Sequence, residues 1–133
     1  AWGFTIDTAS QALRLILSGV FDAYPRLNVV LGHLGESLPF AVDRVDEALN
    51  RGSRKIAFRD TFRQRFHVTT SGFFSTPALL CALLQLGVDR ILFSVDYPFV
   101  ENRPAVAWMQ TVPLSDEDKE KMFSRNARRL LKM

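Results

Sequence analysis

The sequence predicts an α/β protein in which a parallel sheet is flanked by helices. Three observations carry that reading. Three short apolar runs, near 29–31, 66–70 and 91–95, lack the polar alternation of a strand with one wet face, as expected of strands covered on both sides. Longer stretches with apolar residues at helical spacing separate them, so the order is helix, strand, helix, strand, helix, strand, helix. The first and third runs end directly in turns that carry reactive side chains, GHLGE at 32–36 and DYPF at 96–99. Such strand ends are where α/β proteins place ligands. Three strands at this spacing suit an open sheet and part of a barrel equally; composition and periodicity do not separate the two.

Taken in order, residues 1–6, AWGFTI, read as an aromatic entry loop. From Asp7 or Thr8 to about Tyr24, Ala12, Leu13, Ile16, Leu17, Val20 and Phe21 fall on one helical stripe that Pro25 closes. The run Val29, Val30, Leu31 delivers His33 into a turn, and Ser37 with Pro39 marks the next helix start. That helix carries Phe40, Val45, Ala48 and Leu49 and is expected to end at Gly52. Residues 53–65, SRKIAFRDTFRQR, read as a solvated helix with a greasy face around Ile56, Phe58 and Phe62 rather than as an anion or partner surface. A second strand spans Phe66 to Thr70, with His67 near its beginning and therefore structural. Ser75 or Thr76 caps a heavily apolar helix with Pro77 in its first turn, ending at Gly87. A third strand, Ile91 to Val95, leads into Asp96. A short helix is expected over 102–110, and Ser115 with Glu117 and Asp118 opens a closing helix that carries Met122, Phe123, Ala127, Leu130 and Leu131.

Bulk properties bound the function. With 133 residues, 47% hydrophobic and 23% charged, the chain has the composition of an ordinary globular protein with one core. Its net charge of +3 comes from basic residues interleaved with acids, which argues against nucleic acid as a partner. No stretch approaches the roughly 18 consecutive apolar residues of a membrane span, and no leader pattern is evident. The lone Cys81 sits in an apolar run, excludes an internal disulfide and reads as a small buried side chain. A soluble, cytoplasmic protein is the expectation.

His33 between Gly32 and Gly35 is poorly explained by packing, and with Glu36 it stands at a strand end where ligands are placed. Asp96 on its own is equally a turn-making aspartate and a catalytic one.

The stretches WGFTIDTASQALRLILSGVFDAYPRLNVVLGHLGESLPFAVDR, VTTSGFFSTPALLCALLQLGVDRILFSVDYPFVENRP and LSDEDKEKMFSRNARRLL closely resemble the amidohydrolase-related decarboxylases. Within them the chain looks most like the γ-resorcylate (2,6-dihydroxybenzoate) and 2,3-dihydroxybenzoate decarboxylases. The resemblance implies a metal-dependent (β/α)8 barrel whose sixth, seventh and eighth strands are the three found here. It implies that His33 and Glu36 form a hydrogen-bonded catalytic pair, and that Asp96 is both metal ligand and acid/base group. Arg44 is matched to the substrate carboxylate and Phe99 to the aromatic pocket. The cofactor implied is a divalent ion, zinc or manganese, and the partner a small aromatic carboxylic acid; the full-length family members are homo-oligomers, dimers or tetramers.

The family's remaining metal ligands, after the first and fifth strands, have no counterpart here. A whole barrel needs roughly 250 residues, so the resemblance is to the C-terminal part of one, with strands one to five absent. The implied reaction is non-oxidative decarboxylation of a hydroxybenzoate by the parent enzyme. Two other readings stand beside it: a metal-dependent hydrolase in which Asp96 activates water, and a non-catalytic half-barrel whose open edge a partner covers.

Overall fold

The three apolar runs pair side by side, all parallel, in the order β1-β2-β3 in a computed structural model that describes residues 2–53 and 55–133. The strands are short: β1 is Val29–Leu31, β2 is Phe66–Thr69 and β3 is Ile91–Leu92. Register sets the faces. Val29 lies opposite Phe66, Val30 opposite His67, Leu31 opposite Val68, and Val68 opposite Ile91. Because side chains alternate along a strand, Leu31, Phe66, Val68 and Ile91 share the face that is buried in the core. Val30 and His67 share the other face, where Val30 is 46% exposed.

Helices fill the buried side. They are α1 (Trp2–Leu17), α2 (Val20–Ala23), α3 (Leu38–Leu49), α4 (Phe58–Arg65), α5 (Thr76–Leu86), α6 (Asn102–Thr111), α7 (Asp116–Glu120) and α8 (Asn126–Leu131), with a π-helical turn at Lys121–Arg125 joining the last two. Phe21 and Phe62 close on the ring of Phe66, with centroids 5.4 and 5.3 Å apart. Full burial of a ring of this size contributes roughly 2–3 kcal/mol. Val42, Leu79, Met109 and Met122 complete the same core with no exposed surface.

Several expected boundaries move, each for a local reason. Residues 2–6 are the first turns of α1, not a loop; Ala1 lies outside the described residues. The helix expected to run to Tyr24 stops at Leu17, because Gly19 takes a left-handed φ of 78° and a separate turn, α2, follows. The helix after β1 ends at Leu49 with Asn50 as its C-cap, two residues before the expected cap at Gly52. Asn50 then holds the next connection as a loop: its Oδ1 accepts from Ile56 N at 2.8 Å and its Nδ2 donates to Ile56 O at 3.0 Å. The helix expected over 53–65 therefore starts only at Phe58; Arg54 in that segment lies outside the described residues.

The third strand is shorter than its apolar run. Thr70 Oγ1 accepts from Ser94 N at 3.0 Å and donates to Ser94 O at 2.7 Å, so a hydroxyl replaces the ladder there. The caps at Ser75 and Ser115 hold as expected, accepting from Ala78 N and Asp118 N. Cys81 is half-buried and free, and burial raises its thiol pKa. No helix among the described residues is long and apolar enough to cross a membrane.

Candidate active site

At the carboxyl ends of β1 and β3 the backbone turns abruptly. His33, Leu34, Gly35 and Glu36 are four consecutive residues at positive φ, 49°, 55°, 77° and 57°. Asp96 stands alone at 80°. For side chains other than glycine this left-handed region costs roughly 1–2 kcal/mol per residue, and such strain gathers where a site demands a fixed side-chain direction. Hydrogen bonds hold both turns: Gly35 N donates to Gly32 O, Glu36 N to His33 O, and Phe99 N to Asp96 O, at 2.8, 2.9 and 2.8 Å.

The turns bring three expected residues together. His33 Nδ1 lies 3.1 Å from Glu36 Oε1, and His33 Nε2 lies 3.6 Å from Asp96 Oδ2. The imidazole is thus bracketed by two carboxylates, one on each ring nitrogen. Their surroundings differ: the Glu36 side chain is 9% exposed, while those of His33 and Asp96 are 42% and 36% exposed. Glu36 fixes the ring from below, and Asp96 shares the open side with it.

The cleft above them has a volume of about 710 Å³ and a mostly apolar wall, to which Trp2, Phe4, Phe73 and Phe99 contribute. Phe99 is placed as expected. Arg44 is not: it is exposed on α3 and lies outside the residues lining the cleft. Trp2, Phe4, Thr5, Gly72 and Phe73 line it without having been expected there. The aromatics at positions 2 and 4 are visible in the sequence, but they stand on the first turns of α1, which extends the expected helix back through residues 2–6. Gly72 matters for what it lacks. A Cβ on it would lie 3.0 Å from Asp96 Oδ2 and 3.4 Å from His33 Cδ2, and its φ of 59° suits glycine.

Among the described residues, no group of three or more His, Cys, Asp or Glu side chains stands where it could hold a metal ion. Asp96 supplies one candidate ligand, and a catalytic site asks for about three from the protein. This chain by itself does not complete such a site.

The opposite end of the sheet holds the second histidine. His67, 6% exposed, receives Arg90 Nη1 at 3.3 Å on Nε2, while its buried Nδ1 has no partner among the described residues. Burial first, then the charges of Arg90 and Arg129, push its pKa from 6.5 down to about 4. The ring is neutral and structural, as its place at the start of β2 implied.

A strained strand-end histidine between carboxylates, under an aromatic cleft on a parallel sheet, marks an α/β protein with its reactive side chains where α/β enzymes place their chemistry. The chain belongs to the Amidohydrolase family, whose model matches residues 1–133. It is 45% identical over 138 aligned positions to the gamma-resorcylate decarboxylase of Rhizobium radiobacter, covering 99% of this chain and 42% of that one. The crystal structure of 2,6-dihydroxybenzoate decarboxylase from Rhizobium superposes with a TM-score of 0.90 at 44% identity, over 97% of this chain and 42% of that chain. A dihydroxybenzoic acid decarboxylase from Polaromonas sp. JS666, solved with bound manganese and the inhibitor 2-nitroresorcinol, also gives 0.90, at 41% identity over 97% of this chain and 41% of that chain. The chain thus spans about 42% of the length of these relatives.

Proposed function

We propose that these 133 residues are the C-terminal part of a (β/α)8-barrel decarboxylase, contributing its sixth, seventh and eighth strands, and that the whole enzyme removes carbon dioxide from a hydroxybenzoate without oxidation. The observation that carries this reading is the His33–Asp96 contact, Nε2 to Oδ2 at 3.6 Å, at the floor of an aromatic-walled cleft. A planar aromatic acid fits between Phe4, Phe73 and Phe99, and its reacting carbon needs one well-placed proton donor. The half-exposed Val30 face of the sheet supports the barrel, since that face would line its interior.

In the proposed reaction Asp96, carrying a proton taken from substrate or water, gives it to the ring carbon that bears the carboxylate. The bond from that carbon to the carboxylate then breaks, its electron pair restores the aromatic ring, and carbon dioxide leaves. Asp96 ends as a carboxylate and is reprotonated for the next turn. Glu36 holds the His33 ring, and His33 steadies the charge that changes on Asp96. Phe99 packs against the ring plane. Arg44 is left outside this set by its position. A divalent ion, zinc or manganese, would take Asp96 as one ligand with the others outside this chain, and would supply charge stabilisation for the substrate carboxylate.

The test uses the protein that carries this chain, supplied with manganese and 2,6-dihydroxybenzoate. Release of carbon dioxide and resorcinol is expected, with Asp96→Asn lowering turnover at least ~100-fold, the scale of general acid catalysis. Cleavage of lactones or amides with no carbon dioxide from any hydroxybenzoate would overturn the reading in favour of hydrolysis.

A further inference from the structure

Glu36 has two oxygens, and the structure uses both. Oε1 faces His33 Nδ1 at 3.1 Å, and Oε2 accepts a 2.8 Å hydrogen bond from Thr5 Oγ1. Thr5 comes from the first turn of α1, 31 residues away in sequence. A helix on one side of the cleft is thereby tied to the strained turn after β1.

The tie matters because a glutamate carboxylate is a loose rotor. Its last torsion is broad and roughly two-fold, so a carboxylate held through one oxygen can swing about that contact. A hydroxyl donor on one oxygen, with the imidazole nitrogen 3.1 Å from the other, restrains its plane. At 9% exposure little water is present to take the place of a lost donor.

We infer that Thr5 is a positioning residue for the histidine. It locks the plane of Glu36, so that the proton on His33 Nδ1 stays donated to Oε1 and the exchangeable ring position is Nε2, beside Asp96 Oδ2. Its effect on turnover rests on the decarboxylase reading; its effect on the ring does not. Gly72, which leaves room for the same pair, and Thr5, which aims it, come from different elements and act on different atoms.

The experiment follows the two ring nitrogens of His33 by nitrogen-15 NMR in the metal-free protein that carries this chain, at a pH where the His33 and His67 rings are neutral. A wide separation between the two shifts marks one dominant tautomer. Thr5→Val keeps the shape of the side chain and removes its hydroxyl; the separation is expected to shrink. Thr5→Ser restores the hydroxyl and is expected to restore the separation. Unchanged His67 signals in both variants report an intact fold. In the complete enzyme, Thr5→Val is expected to lower kcat about tenfold, the scale found for partners that orient a catalytic histidine, with little change in KM. A wild-type separation in a correctly folded Thr5→Val chain overturns the proposal. Loss of the separation in a protein that releases no carbon dioxide upholds the role of Thr5 and removes the decarboxylase reading alone.

Discussion

The chain has two histidines, and they occupy opposite ends of one three-stranded sheet. His33 is half-exposed, set in a strained turn and flanked by Glu36 and Asp96. His67 is buried, set in a regular strand and faced by arginines. The same imidazole is thus given carboxylate neighbours at one end, which suit a proton-handling group, and burial reinforced by cationic neighbours at the other, which hold it neutral. What separates the two roles is the company each ring keeps, and each can be disturbed without the other.

The largest expected effect is at the carboxylate end. Gly72→Ala pushes a methyl group to 3.0 Å from Asp96 Oδ2 and demands a φ of 59° from an L-residue. Turnover of the complete enzyme is expected to fall by up to ~100-fold, the cost of misplacing a reacting group by about 1 Å. Stability should fall by about 1–2 kcal/mol. Turnover within about twofold of wild type would mean that the His33–Asp96 spacing is not critical.

His67→Phe addresses the other end. In the unfolded chain His67 takes up a proton near pH 6.5, while in the folded chain it does so only near 4. Between those values the unfolded state binds more protons, so this contribution to stability is complete above pH 6.5 and is lost as pH falls toward 4. After allowance for the solvent that the recess around His67 admits, the loss is on the order of 1–2 kcal/mol. Urea unfolding at pH 7 and pH 4.5 should show it in the wild type, and His67→Phe should reduce it while leaving turnover at pH 7 intact. Equal acid sensitivity in the variant would assign the effect to other groups.

Arg90→Met is the finest adjustment. Removing that charge is expected to raise the His67 titration midpoint from about 4, yet not to 6.5, because burial is the larger cause. The ring-proton NMR titration reads this directly, and an unmoved midpoint would exclude Arg90 as a cause.

The difference between the two ends also explains what could be read from the sequence. Buried structure announces itself by composition: the cores of β1 and β2, the apolar α5 and the capping serines were legible because burial and capping restrict residue type. The His33 and Glu36 positions were legible too, because a strand end and flanking glycines mark them, whereas Asp96 by itself read equally as a turn-making aspartate and only the resemblance singled it out. The cleft wall was not. Trp2 and Phe4 are exposed, so they lie off the apolar stripe that periodicity detects, and only the first turns of their helix, residues 2–6, were hidden with them. Gly72 and Thr5 act through single atoms, a missing Cβ and one hydroxyl, and no pattern along the chain records such contacts. Arg44, a residue of suitable chemistry, stands exposed on α3 and outside the residues that line the cleft in this chain.

The π-helical turn near the C-terminus has a consequence for how the chain can be shortened. The slip to a wider turn pairs Asn126 N with Lys121 O, and Met122 O accepts from Phe93 N at 2.8 Å. Asn126 Nδ2 also donates to Val88 O and Ile91 O, both at 2.8 Å. The final helix is therefore a clasp on the strand that leads to Asp96. Deleting it would leave every cleft residue in place in the sequence and unfasten the segment that aims one of them.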